Sequence, residues 1–351
     1  MLNVGVIGYG YWGPNVARNF ASHADCRVAM ICDKQPRALD EVRGRHPTAH
    51  PTSDPDEVLR APAIDAVAIV TPVSTHYALA RAALEHDKHV FVEKPFTATS
   101  DEAETLIELA DRKRLQIMVD HTFLFNGAVR KIKELVDGGV LGPLYYYDST
   151  RVNLGLFQHD VNVVWDLAPH DLSIIDHLIG VEPEMVLATG GAHLNGLADV
   201  AYITLGFPGG IIAHVAVSWL SPVKVRTTLV GGQRKMVVWN DLEPSEPVKV
   251  YDRGVEVGSK QGIHELLVSY RSGDMWAPRV DRTEALQLET RYFLDCVTSG
   301  TPPFNDGRAG LRVVRMLQAA DESLRHQQMV ARSAARRRRV PRSTRDLPTV
   351  A

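Results

Sequence analysis

The first 125 residues alternate two patterns. Short, nearly continuous apolar runs ("NVGVIG", "RVAMICD", "AVAIVTP", "HVFVEKP" and "QIMVDH") are separated by stretches of helical spacing, such as 15–22, 74–85 and 100–114. A strand that is apolar on both faces needs helices above and below it. The pattern therefore predicts an α/β fold built on a doubly wound parallel sheet. Ser100 is the predicted N-cap of its helix, with Glu102 and Glu104 in the first turn.

After about residue 126 the texture changes. The runs "PLYYYDSTRVN", "EMVLATGGAHL", "DVAYITLGF", "GIIAHVAVSWL", "KVRTTLVGG", "KMVVWND" and "PVKVYDRG" follow one another across short turns, and "GFPGG" is a hairpin signal. A helix follows Asn126, another covers 164–178, and two more cover 283–298 and 308–325. This half reads as an α+β domain on one large open, mostly antiparallel sheet. The chain thus divides into a nucleotide-binding domain, 1–125, a substrate-binding domain, 126–330, and a basic tail, 331–351, expected to be disordered.

Composition narrows the class. Hydrophobic residues make up 45% and charged residues 23%, ordinary for a globular protein. The three cysteines, Cys26, Cys32 and Cys296, lack metal-like spacing, so no zinc site and no disulfide framework is expected. With no signal-like N-terminus and no long apolar run, the expectation is a cytoplasmic protein without a membrane partner. The 39 basic and 42 acidic residues become 32 and 41 once the tail is set aside. An acidic body argues against nucleic acid as a partner, and the arginines 336–339 read as a solvated tail.

The first turn reads Gly8-Tyr9-Gly10-Tyr11-Trp12-Gly13, between a strand and a helix, and Asp33 ends the second strand. That context is a dinucleotide fingerprint. Gly8, Gly10 and Gly13, with Tyr11 and Trp12, would let backbone N–H groups approach a pyrophosphate. Asp33 would accept from ribose hydroxyls and repel a 2′-phosphate, which favours NAD over NADP. Thr71 and Pro72 end another strand at the same edge and, with His76 after them, are candidate cofactor contacts. In "FVEKPF", Glu93 would bond a ribose hydroxyl and hold Lys94. Lys94 would stabilise alkoxide-like charge beside a nicotinamide. Pro95 could fix the turn through a cis bond. In "WDLAPHD", Asp166 and His170 are spaced i, i+4 on one helical face, and His170 can take a proton from a secondary alcohol, a role that the sequence leaves open to Lys94 as well.

Together, "GYGYWGPN", "TPVSTHY", "FVEKP" and "WDLAPHD" resemble the Gfo/Idh/MocA oxidoreductases, the glucose–fructose oxidoreductase and inositol dehydrogenase family. The resemblance reaches to about residue 325. It implies an N-terminal Rossmann domain, a C-terminal domain whose open sheet makes oligomer contacts (a homodimer or homotetramer), bound NAD(P) and sugar-like substrates. Carried over by motif, Lys94 matches the family's active-site lysine and Asp166 and His170 its D-x-x-x-H pair. Ala168 stands where the usual pattern has Gly. The wording "HTFLFNGAVRKIKEL", "RVNLGLFQ" and "SYRSGD" is most similar to the branch acting on nucleotide-linked amino sugars and uronates, where UDP-N-acetylglucosaminuronate 3-dehydrogenases belong. A free-polyol or inositol dehydrogenase, a 3-ketosugar reductase and a non-catalytic NAD-binding sensor are the alternatives. Candidate substrate contacts are Asn126, Arg151, Asn153, Trp165, Tyr270 and Arg271. Asn126 also reads as a helix cap, and Trp165 as core.

Overall fold

The computed structural model describes residues 1–155, 160–257 and 268–339. The first half runs β1 (Leu2–Ile7), α1 (Gly13–Ala21), β2 (Cys26–Cys32), α2 (Pro36–Arg45), β3 (His50–Thr52), α3 (Pro55–Arg60), β4 (Ala66–Ile69), α4 (His76–Glu85), β5 (His89–Glu93), α5 (Ser100–Lys113) and β6 (Ile117–Asp120). Among the described residues these strands form one six-stranded sheet in the order β3-β2-β1-β4-β5-β6. Its paired strands are parallel. β4 is buried at every position, as a strand covered on both faces must be.

One cap differs from expectation. Thr99, not Ser100, caps α5: its hydroxyl accepts from the Glu102 N–H at 3.3 Å, and the Glu102 carboxylate accepts from the Thr99 N–H at 3.2 Å. This reciprocal box needs the acid three residues after the cap, and Glu102 stands at that spacing from Thr99.

The second half adds α6 (Gly127–Asp137), β7 (Leu144–Leu154), α7 (Val163–Ile179), β8 (Met185–Gly191), β9 (Val200–Gly206), β10 (Ile212–Ser218), β11 (Leu220–Gly232), β12 (Met236–Asn240), β13 (Val248–Val257), β14 (Val268–Trp276), α8 (Ala285–Ser299) and α9 (Gly307–Arg339). Its described strands form an eight-stranded sheet, β14-β13-β12-β11-β7-β10-β9-β8. β7 and β10 pair parallel, and the other pairs are antiparallel. One side of the sheet is packed under α7 and α9; the sheet also exposes Leu187, Tyr202, Ile212 and Leu229.

The last two helices return to the first sheet. Phe293 of α8 meets Phe20 of α1 and Phe91 of β5, with ring centroids 6.0 and 5.6 Å away and the rings edge to face. Leu311 and Val314 of α9 join the core beside Val90, Val92 and Val119. Gly310 permits this approach, because a Cβ there would lie 2.7 Å from Val119 Cγ2. α9 runs on to Arg339, into the stretch expected to be disordered, and 340–351 lie outside the described residues. No helix among the described residues is long and apolar enough to cross a membrane.

Candidate active site

The carboxyl ends of the parallel strands open on one crevice, where ligands of such sheets bind. Gly8 turns there with φ +100°, and a Cβ would meet the Val70 carbonyl oxygen at 2.2 Å, so only glycine fits. Gly10 has open space where its Cβ would stand. The N-cap of α1, Trp12, makes no side-chain capping bond. An uncapped helix N-terminus behind an open glycine turn fits the pyrophosphate of a dinucleotide. Asp33 stands at the end of β2, where its carboxylate accepts from the Tyr9 N–H at 2.6 Å and the Gln35 N–H at 2.8 Å. The carboxylate that would read the ribose also pins the glycine turn.

Trp12 sends its indole N–H across the crevice to Asp120 Oδ2 at 3.0 Å. Thr122 donates to the other oxygen of Asp120. Glu93 is the register partner of Asp120 and shares a hydrogen bond with it, and Glu289 of α8 lies alongside. Burial first, and then the charge of Asp120, pushes the Glu93 and Glu289 carboxyls well above their usual range. A carboxyl group held protonated can donate to a neighbouring carboxylate, which lets Glu93 and Glu289 lie beside Asp120. The acid of "EKP" is thus engaged with a buried carboxyl group as well as with the charge of Lys94.

Lys94 follows at the rim, joined to Pro95 by a cis peptide bond. Its ammonium donates to the Asp166 backbone oxygen at 2.7 Å and lies 3.8 Å from Asp166 Oδ1. Pro169 sits inside α7 and lacks the N–H that would bond Trp165 one turn back. That breaks the helix ladder next to the carbonyl that Lys94 reaches. Asp166 Oδ2 accepts from the Trp219 indole at 2.8 Å. Lys94, just after β5 of the first sheet, and Asp166, on α7 against the second, therefore bring the two halves of the chain together here.

His170 stands one turn beyond Asp166. Its ring lies 4.9 Å from that of Phe123, edge to face, and its Nδ1 is buried without a partner. Burial first, then the positive charges of Lys94, Arg151 and Arg226, hold the imidazole pKa well below its usual range. A neutral imidazole is the form that accepts a proton.

The remaining expected residues divide. Thr71 and Pro72 end β4 at the crevice, and the Thr71 hydroxyl bonds that of Thr75 at 2.7 Å. Tyr11 is 88% exposed. His76 is fully buried, with Nδ1 2.9 Å from the Pro95 oxygen and Nε2 2.8 Å from the Thr71 oxygen. Both nitrogens face carbonyl oxygens inside the fold, and the single N–H of a neutral ring donates to one of them, so His76 lies between the ends of two strands rather than offering a nitrogen to a cofactor. Arg151 is 4% exposed, with Nε donating to Asp171 Oδ2 at 2.6 Å and the guanidinium 4.4 Å above Phe123. Asp171 holds its Nε, whereas its Nη1 is buried without a hydrogen-bond partner. Asn126 caps α6 by accepting from the Ala128 N–H at 2.8 Å, and it also lines a cavity of about 720 Å³ with Trp239, Asp241, Arg279 and Arg282. Asn153 lies near the end of β7, and Trp165 packs against both cores. Arg271 sits on the edge strand β14, held by Asp252 Oδ1 at 3.0 Å. The side chain of Tyr270 lies outside the described residues. Among the described residues, no group of three or more His, Cys, Asp or Glu is placed to hold a metal ion.

The sequence reading did not single out Asp120, His121, Phe123, Trp219 and Glu289. Asp120 and His121 end a strand at the same edge as Lys94, a signal legible in "QIMVDH". Trp219 and Glu289 reach the site from far along the chain, with no local signal.

Comparison with known proteins agrees with this geometry. Residues 2–121 match the oxidoreductase family with an NAD-binding Rossmann fold, and 129–237 match the Gfo/Idh/MocA C-terminal domain. The chain is 30% identical over 320 residues to UDP-N-acetylglucosamine 3-dehydrogenase of Acidithiobacillus ferrooxidans, covering 89% of this chain and 94% of that one. It is 24% identical over 353 residues to myo-inositol 2-dehydrogenase of Thermotoga maritima, covering 94% and 98%. A solved structure of the Acidithiobacillus enzyme superposes with a TM-score of 0.77 at 27% identity, covering 92% of this chain and 97% of that one.

Proposed function

Because the chain belongs to the Gfo/Idh/MocA oxidoreductases, NAD(P)-dependent dehydrogenases of sugars and polyols, we propose that it oxidises or reduces one secondary carbon of a nucleotide-linked sugar, with NAD as cofactor. The observation that carries the chemistry is Lys94 held by Asp166 at the rim of the crevice, one helical turn from a neutral His170. When bound, the nicotinamide accepts or returns the hydride. His170 takes the hydroxyl proton as the carbon is oxidised. Lys94 donates a hydrogen bond to the same oxygen and offsets its developing negative charge. Asp166, anchored by Trp219, keeps the ammonium at that point. Lys94, Asp166 and His170 together disfavour a sensor that performs no redox step.

The nucleotide handle is supported by the relative that acts on UDP-N-acetylglucosamine, and the inositol dehydrogenase relative supports a free polyol instead. A thermal-shift panel with saturating NAD separates them, using UDP-, dTDP- and GDP-sugars, the bare nucleotides, free hexoses and inositols. A ligand at ~100 times its Kd adds ~2.7 kcal/mol, which moves the midpoint by a few degrees. One nucleotide and its sugars should shift the protein. Stabilisation by free inositols or hexoses alone rejects the nucleotide-linked substrate.

Preference for NAD rests on Asp33. Asp33→Asn keeps an acceptor oxygen for the Tyr9 N–H and removes the charge that repels a 2′-phosphate. The NADP-to-NAD ratio of kcat/KM is expected to rise about tenfold, equivalent to about 1.4 kcal/mol. An unchanged ratio excludes Asp33 as the discriminator.

A further inference from the structure

His121 is a buried ionisable residue that the chemistry above does not use. It is 1% exposed, and neither ring nitrogen has a hydrogen-bond partner. Glu93 and Asp120 are register partners on β5 and β6, so Lys94 and His121 are the next residues on neighbouring parallel strands. Both leave the sheet at the crevice edge. Phe123, two residues further on, rests against His170.

Burial first, then the charge of Lys94, brings the His121 pKa down to about 3. The ring is therefore neutral under ordinary conditions and carries one N–H donor and one lone-pair acceptor. Leaving both unmade in the interior is costly, and buried groups of this kind normally find a partner.

Position restricts what that partner is. In a doubly wound sheet each half serves one mononucleotide. The glycine turn and Asp33 follow β1 and β2, which assigns the adenosine to that half. β4, β5 and β6 form the other half, and His121 closes β6. A nicotinamide carboxamide offers one carbonyl acceptor and one NH₂ donor, which complements a neutral imidazole.

We propose that His121 is a cofactor-binding residue on the nicotinamide side, its ring turning to exchange hydrogen bonds with the carboxamide as the cofactor seats. The inference rests on the NAD reading above, and its test separates the two. NADH and ADP-ribose, which lacks nicotinamide, are titrated by calorimetry into the wild type, His121→Phe and His121→Gln. Binding of ADP-ribose to the wild type reports the cofactor reading itself. His121→Phe should weaken NADH about tenfold, as loss of a hydrogen-bonded contact does, and leave ADP-ribose within about twofold. His121→Gln, which keeps a donor and an acceptor, should recover most of the loss. Unchanged NADH affinity in His121→Phe overturns the proposal, including the case where only the substrate KM rises and the ring faces substrate. Equal weakening of NADH and ADP-ribose overturns it in favour of a structural role. If His121→Phe does not fold, the wild type labelled with isotopic histidine answers by NMR. The His121 ring nitrogens should shift with NADH and not with ADP-ribose, and no such difference overturns the contact.

Discussion

Lys94→Ala and His170→Asn are each expected to lower kcat by about two to three orders of magnitude while NADH binds within about twofold of wild type. The two should differ in pH dependence. In the oxidation direction His170 works as a base, so activity is present above its pKa and lost as pH falls through it. Burial and the nearby cations hold that pKa well below 6.5. The acid limb of kcat/KM should therefore lie well below pH 6.5, persist in Lys94→Ala and vanish in His170→Asn. An acid limb that survives in His170→Asn moves the proton-carrying role elsewhere. Loss of NADH affinity in Lys94→Ala, with normal turnover by the fraction still loaded, rejects the lysine as the electrostatic partner.

The largest stability effect is expected at the ion pair behind the site. Arg151 and Asp171 join β7 to α7, with side chains only 5% and 2% exposed. Their separation of 2.6 Å comes without solvent to soften a loss. Arg151→Leu leaves the Asp171 carboxylate buried and unpaired, which costs about 3–5 kcal/mol. The double variant Arg151→Leu, Asp171→Leu should recover much of that, because no orphaned charge remains. Urea midpoints at unchanged m-value measure both. A single variant that loses under about 1 kcal/mol contradicts a desolvated pair.

That ion pair also shows where sequence reading stops. The parallel sheet was legible because burial on both faces forces apolar runs, and the glycine turn because its φ forbids a side chain. Lys94, Asp166 and His170 were legible because strand ends and the i, i+4 spacing are local properties. The ion pair of Arg151 with Asp171 was not legible, because nothing local distinguishes a solvent-facing arginine from one turned inward. Its partner lies twenty residues away on another element. The burial of His76 was not legible for a related reason: a strand end marks a place, but not whether a side chain points into the crevice or beneath it. The helix bearing His170 was predicted to run through Pro169, and it does, held by core contacts of Leu172 and Ile175 on the far side. Glu289 and Trp219 were invisible because tertiary packing alone brings them to the site.

The return of α8 and α9 to the first sheet bears on how the protein is made. Phe20 and Phe91 are translated early, whereas Phe293, Leu311 and Val314, which cover that sheet, come near the end. A ribosome adding about 5–20 residues per second takes roughly 10–40 s to supply the intervening ~200 residues. Throughout that interval the strands that lead to Gly8, Asp33 and Lys94 lack the part of their cover that α8 and α9 supply. The core of the first sheet is therefore completed only when α8 and α9, the later of these segments to be made, have emerged and packed against it.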